Sequence, residues 1–120
     1  MKPEAARAER PDWLWPDSLD ALIAAPNHHK LLLENERVRV LEVRIGPGAF
    51  VPVHTHRWPS VIQTLRAGEF VRRDADGKAL FDSRTAARLP EIAWTPPLPP
   101  HSVENVGETE ILLFTVEVKD

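Results

Sequence analysis

The chain has no cysteine. That excludes disulfides, thiolate metal sites and thiol catalysis, and it is compatible with a cytoplasmic location. Long apolar runs are also missing, and none approaches the roughly 20 residues that span a bilayer. The first residues, MKPEAARAERPD, carry both signs of charge and no apolar core, so neither a secretory signal nor a transit peptide is expected. No basic block occurs: the 15 Lys and Arg residues are scattered, and the net charge is −3. Partners among nucleic acids and anionic membranes are therefore not expected. Only five glycines are present, at separate turns, which leaves no phosphate-cradling loop. Nothing resembles the nucleophile elbow of a serine hydrolase.

What is abundant is proline, with 12 in 120 residues, a density that strand edges and loops tolerate and a helix bundle would not. The length fits one domain. Residues 1–29 read as an N-terminal tail and a short helix, and 30–120 as a single β domain. Asp17 or Ser18 is expected to cap a helix over about 18–25, with Leu19, Leu22 and Ile23 on one face and Pro26 ending it. Trp13, Leu14 and Trp15 are apolar enough to anchor this segment on the domain or on a second chain.

From residue 30 the period becomes two. KLLLE, ERVRVLEVRI, FVPVHTH, SVIQTL and EILLFTVEV read as strands, with a hairpin around Asp76-Gly77 and a short strand near 91–95. In ERVRVLEVRI the apolar phase flips between Val40 and Leu41, which suggests a bulge or a strand buried on both faces in turn. TPPLPPH reads as a rigid loop. Many short strands without β-α-β alternation favour an all-β antiparallel barrel or sandwich.

Of the five histidines, His28 and His29 are adjacent, so in a strand they face opposite sides, and exposed or capping roles are expected. His54 and His56 share a strand face, as two metal ligands would. His101 follows behind the proline-rich segment. Gly48, five residues, His54-x-His56 and the closing Gly68 resemble the first motif of the cupins. Pro96, His101 and Asn105 resemble the second, in the right order, although Pro90 and Leu98 stand where it has glycines. The resemblance covers about residues 36–118 and is similar to that of small single-domain bacterial cupins. It implies a small antiparallel β-barrel of double-stranded β-helix, or jelly-roll, type with a short N-terminal helix.

It also implies a metal site at His54, His56 and His101. The family's glutamate position falls on Val61, or on Ser60 at the alternative spacing, and neither is acidic. Three neutral imidazoles would leave a divalent ion its full charge, favouring an anionic small-molecule ligand. Imidazole suits Fe, Zn and Ni alike, so one divalent transition metal is expected without a choice among them. Val61, Gln63, Trp94 and Asn105 are expected around the pocket or next to the ligands. Gln63 would reach the metal's open side or sit at a sheet rim, and Trp94 with Trp58 would wall the pocket or fill the core. Glu104 is expected in solvent. Some cupin-like enzymes with three histidines and ferrous iron are dioxygenases of β-diketones or small thiols, so a non-haem dioxygenase is one implied reading. A non-catalytic metal or ligand-binding module is the other, and a decayed site in an assembly protein a weaker third. Pairing as a homodimer is common in the family and expected here.

Overall fold

The computed structural model describes residues 13–119; the expected tail, residues 1–11, lies outside the described residues. Nine strands make two antiparallel sheets. The strands are β1 (His29–Glu34), β2 (Val38–Ile45), β3 (Phe50–His56), β4 (Ser60–Arg66), β5 (Phe70–Asp74), β6 (Ala79–Asp82), β7 (Ile92–Thr95), β8 (Leu98–Asn105) and β9 (Ile111–Val118). The five-stranded sheet has the order β1-β2-β9-β4-β7, and the four-stranded sheet β3-β8-β5-β6. Consecutive strands change sheet between β2 and β3, β3 and β4, β4 and β5, β6 and β7, β7 and β8, and β8 and β9. That alternation wraps the chain into a jelly roll with one shared interior.

The core cluster joins Val43, Ile45 and Ile111 of one sheet to Val51 of the other, with Ala25 from the N-terminal segment. Two glycines of the motif have identifiable duties. Gly48 adopts φ +75 in the turn between β2 and β3, a region that L side chains avoid. A Cβ on Gly68 would lie 2.8 Å from Ile111 Cγ1, so only glycine lets that turn close on β9.

Three local expectations are corrected. The N-terminal helix is broken into a 3-10 turn at Asp17–Leu19 and a single α-turn, α1, at Ala21–Ala24. Asp20 leaves helical geometry between them, caps Leu22 N and binds Arg39. The buried residues are Ala21 and Ala25, while Ile23 is exposed. Next, β2 carries no phase flip. It alternates without a break, with Arg39, Leu41, Val43 and Ile45 inward, and the register shift lies in β1 between Leu31 and Leu33. A charged residue at an inward position had made the alternation look broken. Finally, much of TPPLPPH is strand, because β8 begins at Leu98. Pro99 and Pro100 precede His101, where pairing with β5 begins, so one flank of β8 needs no amide donors there.

Candidate metal centre

Four imidazoles meet in the interior. His54 and His56 come from β3. His101, on β8, is the register partner of His54, and the two ring centroids are 4.3 Å apart. His29 opens β1 on the opposite sheet, with its ring 4.9 Å from that of His54 and 5.4 Å from that of His56. One ring nitrogen each of His29, His54 and His56 lies within 4.8 Å of the others, close enough to share a metal ion. The expectation that His29 is exposed is overturned, while its capping alternative holds, since the ring bonds the carbonyl of Ala25, the residue that ends α1. His29 is 6% exposed, because the chain enters β1 directly over the cavity floor, and its neighbour His28 turns outward to Arg44. A position at the mouth of a strand carries no period-2 signal, so the sequence pattern did not separate the two.

Each of the four rings is held from behind. Nδ1–H of His54 donates to the Pro52 carbonyl at 2.7 Å, that of His101 to Pro99 at 2.8 Å, and that of His29 to Ala25 at 2.9 Å. His56 Nδ1–H donates to Glu117 Oε2 at 2.8 Å. A carbonyl or carboxylate only accepts, so Nδ1 carries a proton, and in a neutral ring Nε2 keeps the lone pair. Burial, the largest influence, pushes three of the rings down, His29 to about 4, His54 to about 2 and His101 to about 3. They are neutral donors at pH 7 without waiting for a metal.

Glu117, 1% exposed on β9, is the buried carboxylate of the interior. It serves a histidine and an arginine instead of standing among the imidazoles. Its Oε1 accepts from Arg39 Nε, its register partner on β2, and the Arg39 guanidinium is also bidentate to Asp20 at 2.9 Å. Burial alone would raise the Glu117 and Asp20 carboxyls. The bonds from His56 and Arg39 outweigh it, and both stay below the usual range. The order Asp20–Arg39–Glu117–His56 thus fixes one imidazole through charge-assisted bonds. One signal for it was in the sequence: Arg39 shares a period-2 face with the apolar Leu41, Val43 and Ile45 of β2.

The histidines lie on a cavity of about 1100 Å³ between the sheets. On β4 it is lined by Ser60, Ile62 and Thr64. Val61 and Gln63 alternate with these and so fall on the outer face, where Gln63 is exposed. Trp94, the register partner of Val61, is 60% exposed and does not wall the cavity. Asn105 is fully buried but staples the turn at the far end of β8, donating to Ile45 and Thr109 carbonyls and accepting from Gly107 N. Trp58 packs under Arg39, 5.0 Å from guanidinium carbon to ring centre. Glu104 is on the outer face, paired with Arg73.

No protein-family model matches the chain, and no curated protein matches it significantly. Solved structures do. A cupin domain from Bordetella pertussis aligns with a TM-score of 0.62 and 25% identity over 77% of this chain and 92% of its own. The fold is that of a small cupin-superfamily domain. An RmlC-like cupin with a double-stranded β-helix from Methanocaldococcus jannaschii aligns at 0.56 and 16% identity, over 75% of this chain and 77% of its own. A polyketide cyclase from Streptomyces resistomycificus aligns at 0.52 and 20%, over 77% and 64%. Those two likenesses extend to the fold alone.

The donor set of this cupin fits a divalent transition metal. Neutral, buried imidazoles with free Nε2 atoms are ligands for Zn, Fe or Ni, and no like charges must be forced together to bring them close. The carboxylate of the cupin motif is absent at both Val61 and Ser60, and His29 brings a nitrogen donor from another strand. No helix among the described residues is long and apolar enough to cross a membrane.

Proposed function

We propose that this cupin holds one divalent transition metal ion, Fe, Zn or Ni, on its buried histidines and presents it to a small organic anion in the cavity. His29, His54 and His56 would hold the ion, with His101 beside them. The carrying observation is that all four Nδ1 atoms are engaged by acceptors, which leaves Nε2 as the free ring nitrogen of four imidazoles on one cavity. Such an ion supplies Lewis acidity at its open positions and, if it is iron, redox chemistry with O₂. The chain's own part is to keep His29, His54 and His101 neutral by burial, to orient all four rings through Pro52, Pro99, Ala25 and Glu117, and to shield the ligand between two sheets. An all-nitrogen site leaves the ion its double charge, which favours an anionic ligand.

Within that reading, the catalytic version is a non-haem dioxygenase of a small anion. A non-catalytic ligand-binding module gains weight from His101, because a fourth imidazole would occupy a position that a substrate or O₂ would otherwise take. A cytoplasmic location and a homodimer built on the Trp13–Trp15 segment belong to the same proposal, and sizing chromatography with Trp13→Ala tests the latter.

The test is metal content and turnover together. Ala at His29, His54 or His56 should remove most bound metal, whereas His28→Ala should leave it unchanged. Oxygen uptake by the iron-loaded protein with a β-diketone or a short thiol, absent with zinc, would support the dioxygenase. Full metal binding with no uptake would leave the binding module. Equal metal content in all the variants would end the metal reading.

A further inference from the structure

Most arginines of the described residues face a carboxylate. Arg39 meets Asp20 and Glu117, Arg44 and Arg66 meet Glu110, Arg57 meets Asp17, Arg73 meets Glu104 and Arg84 meets Asp82. Arg37 and Arg88 are exposed to solvent. Arg72 lies between these cases, half-buried and without a carboxylate. It sits on β5 facing the cavity, its Nε is buried, and it forms no hydrogen bond or ion pair with any described residue. Burial is the single influence on its guanidinium and pulls its pKa down, as expected where no carboxylate lies close.

A guanidinium whose Nε is shut off from water without an acceptor carries a desolvation cost that a bound anion would offset. The surroundings fit that use. Arg72 pairs with Val103 on β8, two residues from the pair Asp74↔His101, which places it about 7 Å along the strands from the histidines. Its charge bears on His101, lowering that ring further. A second buried polar atom without a partner, Thr115 Oγ1, lines the same cavity from the opposite sheet. Between them the walls are apolar: Val43, Val51, Ile62, Phe70, Val103 and Leu113. The acidic residues of the cavity, Glu69, Glu91 and Glu108, are all exposed ones.

We infer that Arg72 is the anchor for a carboxylate, and that the cavity takes a short monocarboxylic acid whose apolar body lies between the sheets and whose other end points at the histidines. The inference rests on reading the cavity as a ligand site, but it does not need the metal. A bidentate guanidinium–carboxylate pair supplies both the charge and the geometry, and of the two arginines on the cavity, Arg72 and the exposed Arg88, Arg72 is the one with a buried, unpartnered nitrogen.

Calorimetric titration of the metal-free protein at pH 7.5 with pentanoate and with pentanamide tests this, because the two probes share size and shape and differ in charge. Pentanoate should bind at least tenfold more tightly, and Arg72→Gln should erase the difference. Arg72→Met should also raise the melting temperature, since it removes a half-buried charge that has no partner. Equal affinity for the two probes in the unaltered protein overturns the inference, and that comparison needs no variant to fold. A preference for pentanoate that survives in Arg72→Gln overturns it as well, and so does a lower melting temperature for Arg72→Met, which would mark Arg72 as a structural residue. Failure of the histidine site shows separately, as loss of zinc binding with the pentanoate preference intact.

Discussion

The two ends of the β2–β9 ladder face the same interior and are built differently. At one end the inward pair is Arg39 with Glu117; at the other it is Ile45 with Ile111, and Leu41–Thr115 and Val43–Leu113 lie between. The apolar end is held by area removed from water, which is non-directional and tolerates small shifts. The charged end is held by charge-assisted hydrogen bonds that fix one oxygen against one nitrogen. His56 hangs on the charged end, and the core cluster sits on the other. One ladder thus separates the part of the barrel that must be stable from the part that must be well placed. The two ends should therefore fail in different ways.

Acid should produce the largest difference. At pH 7 His29, His54 and His101 are neutral in the folded and unfolded chain, so they cost nothing. Below about 6.5 the unfolded histidines take up protons, while the folded ones wait until about 4, 2 and 3 respectively. Stability of the metal-free protein should fall as pH drops below 6.5, by about 1.4 kcal/mol per pH unit for each histidine and about 4 for the three. The depressed carboxyls of Asp20 and Glu117 contribute stability above their unfolded values and add to the loss only below about pH 4. Urea titrations between pH 7.5 and 4.5 check the order. A flat profile down to pH 4.5 would mean that the histidine end is not buried as described.

Shortening the apolar end comes next. Ile45→Ala or Ile111→Ala should cost about 2–5 kcal/mol by emptying a packed position. Zinc affinity of the folded fraction should change little, because neither residue hydrogen-bonds an imidazole. A large loss of zinc affinity with little loss of stability would reverse the proposed division of the ladder.

At the charged end Glu117→Gln should do the opposite. It keeps one acceptor oxygen but removes the charge that holds His56 and Arg39. Loss of such a supporting group costs about tenfold to a hundredfold in metal affinity. Asp20→Asn, one step further from the ring, should cost less. Competitive zinc titration of the two variants would show whether the effect fades with distance from His56; equal losses would point to general destabilisation.

This contrast also explains what the sequence made readable. The strands other than β8, the hairpin at Asp76-Gly77 and the spacing from Gly48 through His54-x-His56 to Gly68 are local patterns, and they appear in the fold as read. His29 and Glu117 lie 19 and 49 residues outside that motif and reach the site through tertiary pairing. Arg39 lay hidden because an inward charge looks like an interruption of the apolar period when its partner, 78 residues away, is not in view. Arg72 was obscured for a related reason. In EFVRRDADG two arginines are adjacent, and only the sheet tells the outward Arg73, paired with Glu104, from the inward Arg72.

The smallest effect is expected where the cupin motif would place a carboxylate. Val61→Glu follows the family spacing from Gly68, yet it falls on the outer face of β4, opposite Val116 and Trp94. A half-buried surface position of that kind costs on the order of 1 kcal/mol when a charge replaces a methyl pair, and zinc affinity should not change. Ser60→Glu is the informative counterpart. Ser60 is buried on the cavity beside the register position of Glu117. A carboxylate there meets the histidines and should tighten zinc binding by lowering the net charge of the site. It should also weaken any anionic ligand for the same reason. Zinc titrations of the two variants, each with a thermal melt, separate the faces of β4. Tighter zinc binding by Val61→Glu, with none by Ser60→Glu, would mean that β4 presents the opposite face to the cavity and that the motif spacing holds after all.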